Sequence, residues 1–280
     1  MSTSLNGTTL GQDLQALIDL LDLEPIDTDL FRSRHTGTPG KRLYGGEVAA
    51  QALVAAERTT DPELVHVHSL HAYFLRPGDA GARVVYRVDR LQDGRNFRRR
   101  RVTAVQNGEP ILCLEASFTT DCSLAGNHDT PPPVPGPDEC PPAGDTFPNG
   151  SPHPARMFEL RSIDTGQDAA HPFLRDLWVR PRGEGVAGRV SAPAVLTYLS
   201  DLSLASAVLL ASGRDDVSHL TSLDHVMWFH NRVRLDDWLL YSKSSPSVGG
   251  LRGLAQGRIF HRDGTLIASV GQEGLMHVKR

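Results

Sequence analysis

The chain has 280 residues, of which 39% are hydrophobic and 22% charged, and a formal net charge of −4. That composition suits one large or two small globular domains, and it offers no basic surface for nucleic acid. The three cysteines, Cys113, Cys122 and Cys140, are too few and too odd in number for a disulfide framework, and no leader-like start or apolar run of the ~20 residues that span a membrane is visible, so a cytoplasmic enzyme or binding protein is expected.

After an amphipathic opening, DLQALIDLLDLEPIDTDLFR, the first half carries an apolar helix, GGEVAAQALVAAER, with Gly45 and Gly46 at its start. Four strand-like segments follow, at about 64–75, 83–91, 96–106 and 110–119. The stretch from Asp121 to Pro154, with PPPVPGP and ECPPAGD, has neither helical nor strand period and is expected to be an extended linker. The second half repeats the order. A helix is expected over PAVLTYLSDLSLASAVLLAS, with Pro193 in its first turn and Gly213 past its end. Strands are expected at about 218–230, 238–244, 251–261 and 266–271. Asn107-Gly108 and Asp263-Gly264 mark hairpins between the last two strands of each half.

The spacing indicates a duplication. Glu47 to His71 and Asp201 to His225 span the same 24 residues (71 − 47 and 225 − 201). On that register Glu47 lies over Asp201 and His68 over Ser222; a two-residue shift later places Ala116 over Gln272. The fold expected is α+β, one helix and an antiparallel sheet used twice, with units at 1–120 and 155–280 joined by the linker at 121–154.

Three polar residues stand out. Asp201 falls in a helix that is apolar nearly all round, where a carboxylate needs a hydrogen-bonding partner. In TSLDHVMWFH, alternation puts Ser222, Asp224 and Val226 on one strand face and Leu223, His225 and Met227 on the other, so Ser222 and His225 are expected to point apart. Gln272, after the alternating SVG, can donate and accept at once, or simply cap the strand. His66, His68 and His71 have no Cys or carboxylate to complete a metal site. The run Arg98–Arg101 is expected to alternate two per face on a solvated strand, with a phosphate contact as the sharper alternative. There is no GxSxG elbow, phosphate loop or dinucleotide fingerprint.

The segments KRLYGGEVAAQAL, HSLHAYFLRPGD, DGRNFRRRRVTAVQNGEPI, YLSDLSLA, LDHVMWFH, WLLYSKS and GQEGLMH, in that order, resemble the type II acyl-CoA thioesterases. The similarity runs from about Leu14 to the C-terminus, broken mainly at the linker. The resemblance implies a tandem, or double, hotdog fold, with an acyl-CoA substrate and no metal or cofactor. It implies a catalytic set of Asp201, Ser222 and Gln272 that activates and orients a water; many members carry Thr where Ser222 stands. Gly46 is the candidate backbone donor to the thioester oxygen. Glu47 and His68 are expected to form a charged pair or line the substrate entrance, leaving one working site per chain. Association into homo-oligomers is also expected. The rivals are a non-catalytic acyl-CoA binding module and a hotdog enoyl-CoA hydratase, whose GDxNPxH-like Asp/His motif is absent.

Overall fold

The computed structural model describes residues 15–34, 36–121, 126–143, 154–163, 176–182 and 190–279. A helical stretch over 15–21 leads into β1 (Leu23–Asp27) and β2 (Leu30–Ser33), then α1 (Gly45–Glu57) and four strands, β3 (His66–Phe74), β4 (Val85–Asp93), β5 (Phe97–Gln106) and β6 (Glu109–Thr119). Beyond the proline-rich segment come β7 (Phe158–Ser162), β8 (Leu177–Pro181), α2 (Ala192–Ser200) and α3 (Ser206–Ser212). The chain ends in β9 (Val217–Ser222), β10 (Asp224–Phe229), β11 (Leu239–Gly249), β12 (Arg252–His261) and β13 (Leu266–Val278).

All strands join one sheet in the order β1-β2-β4-β5-β6-β3-β10-β13-β12-β11-β8-β7, with β9 also paired to β13. The two halves meet at the antiparallel pair β3–β10, where His71 lies opposite Val226 and Ala72 opposite His225. The repeat carries His71 to His225 and Ala72 to Val226, an offset of 154 in both cases (225 − 71 and 226 − 72). Each pair therefore maps onto the other, as a pseudo-twofold axis through this seam requires. The architecture is the tandem hotdog of the α+β class.

Why α1 serves as the inner helix follows from its composition. Ala49, Ala50, Ala52, Ala55 and Ala56 are all buried, and side chains this small let sheet and neighbouring helix approach closely. It packs on β3, β4, β5 and β6 and against α2. The hairpin β5–β6 closes through Asn107 and Gly108, both left-handed at φ 49° and 81°, the turn that Asn-Gly favours.

Two expectations need correction. The second-half helix is not continuous over 193–212: it breaks after Ser200, and α3 resumes at Ser206. Thr197 Oγ1 donates back to Pro193 O, a local bond that competes with helix continuation. The arginine run alternates two per face as expected, but only the face of Arg99 and Arg101 is solvated. Arg100 is fully buried, bonding Thr59 beyond the end of α1 and pairing with Asp93 at 2.6 Å, while Arg101 faces out to Glu115. The described part of the expected linker packs on the second half. Trp178 Nε1 donates to Pro135 O at 2.8 Å, Arg258 and Arg262 pair with Asp129 and Asp138, and Cys140 joins a small core with Trp178, Trp238 and Phe260. Cys122 lies outside the described residues.

Candidate active site

The break between α2 and α3 is where Asp201 stands, as the residue that caps α2. Strand β11 holds the break on both sides: Tyr241 OH donates to Ser200 O, and Lys243 Nζ donates to Ser203 Oγ at 2.7 Å. Ser203 is left-handed at φ 60°, an uncommon conformation for serine that surrounding contacts must maintain.

The N-terminus of α1 meets this break from the other half of the chain. Tyr44 precedes α1 with no side-chain cap, so the first N–H groups of the helix look elsewhere for acceptors. Gly46 N–H donates to Asp201 Oδ2 at 2.7 Å, an anion at a helix N-terminus. The approach demands glycine. A Cβ on Gly46 would lie 2.5 Å from Tyr198 O and 2.6 Å from the Tyr44 ring, and one on Gly45 would lie 2.9 Å from Asp201 Oδ2.

The other oxygen, Asp201 Oδ1, accepts from Gln272 Nε2 at 2.9 Å, and the same nitrogen donates to Ser222 Oγ. The structure thus brings Asp201, Ser222 and Gln272 into one cluster. Gln272 is buried, whereas Asp201 and Ser222 keep some exposure, which leaves a route for water. The atoms packed around the Asp201 carboxyl raise its pKa from 3.8 to about 6, against the lowering effect of the bonds from Gln272 and Gly46.

Sequence alternation misplaced one residue here. Ser222 lies opposite Gly274 and Val226 opposite Gly271, so four steps on one strand match three on β13. The extra residue is a β-bulge between β9 and β10, sealed by Asp224 Oδ1 accepting Glu273 N–H at 2.7 Å. Past a bulge the faces exchange, and both Ser222 and His225 reach Gln272. His225 is fully buried; its Nδ1 lies 3.1 Å from Gln272 Oε1 and its Nε2 2.7 Å from Ser200 Oγ. Burial lowers its pKa to about 4.

The first-half counterparts are not assembled in this way. Their bulge falls at His68, between the pairs Val67–Phe118 and Ser69–Ser117. His68 Nε2 meets Ser117 Oγ at 2.8 Å, and its ring packs edge-on against Phe97, so the expected Glu47–His68 pair is not formed. Glu47 lies near Tyr44, Tyr86 and Tyr198, and burial lifts its carboxyl to about 7. The Gly46 N–H, the candidate donor to the thioester oxygen, is donated to Asp201 in this structure. A surface groove of about 390 Å³ lined by Pro131–Pro133, Trp178 and His261 touches none of the cluster.

Comparison with known proteins gives the following. Residues 33–120 match the family model "Acyl-CoA thioesterase N-terminal domain", and 137–276 match "Acyl-CoA thioesterase C-terminal domain". The chain is similar to acyl-coenzyme A thioesterase 8 of Homo sapiens, with 38% identity over 95% of this chain and 91% of that one. Among solved structures it is similar to acyl-CoA thioesterase II TesB2 of Mycobacterium marinum, with 39% identity, a TM-score of 0.78, and coverage of 93% of this chain and 98% of that one. A hot dog fold protein from Alicyclobacillus acidocaldarius shares the fold at 20% identity, with a TM-score of 0.75 over 95% of this chain and 99% of that one.

Proposed function

The chain belongs to the type II acyl-CoA thioesterases and is a thioester hydrolase; from that premise we propose that Asp201, Ser222 and Gln272 activate the water that cleaves its acyl-CoA substrate. The observation that carries this reading is the single amide of Gln272 bridging Asp201 Oδ1 and Ser222 Oγ beside a carboxyl whose pKa lies near 6. Such a carboxylate is ionised at neutral pH, yet basic enough to accept a proton.

In the proposed reaction Asp201 takes a proton from a water that Ser222 and Gln272 orient, and the water oxygen bonds to the thioester carbonyl carbon. The carbon–sulfur bond then breaks, and the departing CoA sulfur takes up the proton held by Asp201. The products are a carboxylic acid and CoA thiol. Prior alignment of the water removes part of the entropic barrier. Gly46 aims Asp201 in this scheme, and its N–H cannot also serve the thioester oxygen while it stays there. Glu47 and His68 are proposed to line the approach of the pantetheine arm, and the acyl chain to lie in apolar space beside the helices.

Further parts of the same proposal are a division into units at 1–120 and 155–280, a cytoplasmic location and association of identical chains. Among the described residues no helix is long and apolar enough to cross a membrane. Tyr73 and Trp228, exposed at 64% and 42%, lie on the joined strands β3 and β10, where a second copy would cover them. Light scattering at micromolar concentration should give a multiple of the 30.5 kDa chain; a strictly monomeric mass would remove that part.

The test of the chemistry is release of free CoA thiol from a panel of acyl-CoA chain lengths by the parent and by Asp201→Asn. The parent should turn over at least one chain length, and the variant should lose on the order of 10²-fold or more in kcat. Parent-like turnover by Asp201→Asn would remove the base from this scheme.

A further inference from the structure

We infer that His225 is a positioning residue for this hydrolysis: its Nδ1–H, backed by the Ser200 hydroxyl, fixes which end of the Gln272 amide faces Asp201. The inference rests on the proposed role of Asp201 as base. It starts from a donor count along four buried or half-buried groups: Ser200, His225, Gln272 and Asp201.

A neutral imidazole carries one proton, on Nδ1 or on Nε2. Buried and without a carboxylate at hydrogen-bond distance, His225 is neutral at physiological pH. The network then has two self-consistent settings. In the first, Ser200 O–H donates to Nε2 across 2.7 Å, Nδ1–H donates to Gln272 Oε1 across 3.1 Å, and Gln272 Nε2–H donates to Asp201 Oδ1 across 2.9 Å and to Ser222 Oγ. In the second, Ser200 donates instead to Thr197 O, which lies 2.9 Å away. Nε2–H then donates to Ser200, bare Nδ1 needs a donor, and the Gln272 amide must turn its NH₂ toward the histidine. That turn presents a carbonyl oxygen to the Asp201 carboxylate, two acceptors in contact.

Only the first setting suits an ionised base. Ser200 and His225 therefore supply the bias that keeps an N–H on Asp201 without touching substrate or water. Tyr44, Tyr198 and Tyr241 also stand around the carboxylate, each held neutral by burial, so the amide is the group there whose polarity can reverse. Met227 Sδ, 3.1 Å from Ser200 Oγ, closes the far side of the network.

The geometry of two substitutions separates this role from mere packing. In His225→Asn the side-chain amide sits two bonds from Cβ, where Nδ1 was, and can donate to Gln272. In His225→Gln the amide reaches the place of Nε2, beside Ser200, and leaves Gln272 Oε1 without its donor. We expect His225→Asn to stay within about threefold of the parent in kcat, and His225→Gln to fall by about 10²-fold with KM little changed, the scale of a misaligned reactive group. In the Gln variant the acid limb of the kcat/KM profile should also rise by roughly half a unit to one unit, because Asp201 loses a donor to its charged form. Nitrogen NMR of the parent, with the His225 ring nitrogens assigned by through-bond correlation to its own backbone, should show the proton on Nδ1; this arm needs no variant. A proton on Nε2, equal activity of the Asn and Gln variants, or an unmoved acid limb would overturn the inference while an inactive Asp201→Asn still upholds the base. Normal turnover by Asp201→Asn would overturn both.

Discussion

Gly46 and Asp201, 155 positions apart in the chain, are joined by a backbone N–H donated to a carboxylate oxygen at 2.7 Å, so the candidate base is aimed by the opposite half of the molecule. Neither half alone contains the site. Gly46→Ala tests the contact directly. Its Cβ would fall 2.5 Å from Tyr198 O, and relief requires α1 and α2 to move apart. Overpacking of this kind costs about 1–3 kcal/mol, and a displaced donor should lower kcat by about 10²-fold. Denaturant unfolding and thiol release would both be measured; unchanged values in both would show that the close approach is not required.

The Asp201 carboxyl predicts opposite trends for activity and stability. With a pKa of about 6, kcat/KM should fall tenfold per pH unit below that value, since the protonated acid cannot accept a proton. For stability, the folded pKa lies above the unfolded one, so the carboxyl favours the folded state below about 4 and loses that contribution as pH rises through about 6. Its ionised form costs at most ~3 kcal/mol, less whatever water reaches the half-buried residue. Asp201→Asn should therefore be at least as stable as the parent at pH 8, with its relative stability falling between pH 6 and 4. Thermal melts across that range decide it; a variant less stable at pH 8 and recovering in acid has the wrong sign.

Ser222 accepts a hydrogen bond from Gln272, which leaves its own O–H for a water. Ser222→Thr keeps the hydroxyl and adds a methyl at a half-buried position, so most activity should survive. Ser222→Ala removes it and should cost about 10-fold to 10²-fold in kcat, as for a lost orienting group. Equal rates for the Ala variant and the parent would reduce Ser222 to a strand residue.

Much of this site was legible in the sequence because it rested on composition. A carboxylate in an apolar setting, paired glycines at the start of a helix, and equal 24-residue spacings all survive translation into three dimensions, although the carboxylate stands at a helix end and not inside one. What was not legible depended on register. One extra residue near Leu223 reverses the faces of the following strand, and alternation carries no mark of it. The available sign of His225 was a polar residue two positions before Met227 in an otherwise apolar row. The break at Asp201 was hidden in the same way, because TYLSDLSLASA keeps a helical period while Thr197 bonds the Pro193 carbonyl behind it. Arg100 was misread because its partners, Thr59 and Asp93, come from just past a helix end and from the last residue of the neighbouring strand, which alternation within its own strand does not locate.

Each chain should carry one working site. Duplication about the β3–β10 seam should begin with two equivalent sites, yet Ala116 stands where the second half has Gln272, and it offers no side-chain hydrogen bond. The bulge at His68 turns that residue to Ser117 and Phe97, whereas the bulge near Leu223 lets Ser222 and His225 converge on Gln272. Glu47 keeps a carboxyl in the corresponding place, but burial holds its pKa at about 7, so near neutral pH it is protonated about half the time. Glu47→Gln removes only a partial charge and should leave kcat largely intact, with a change in KM if the residue lines the approach. Gln272→Ala withdraws the donor shared by Asp201 and Ser222 and should depress kcat by about 10²-fold. Calorimetric titration with a non-hydrolysable acyl-CoA should saturate at one ligand per chain. Two ligands bound with equal affinity, or a Glu47→Gln variant as inactive as Gln272→Ala, would mean that the first-half residues have kept a reaction of their own.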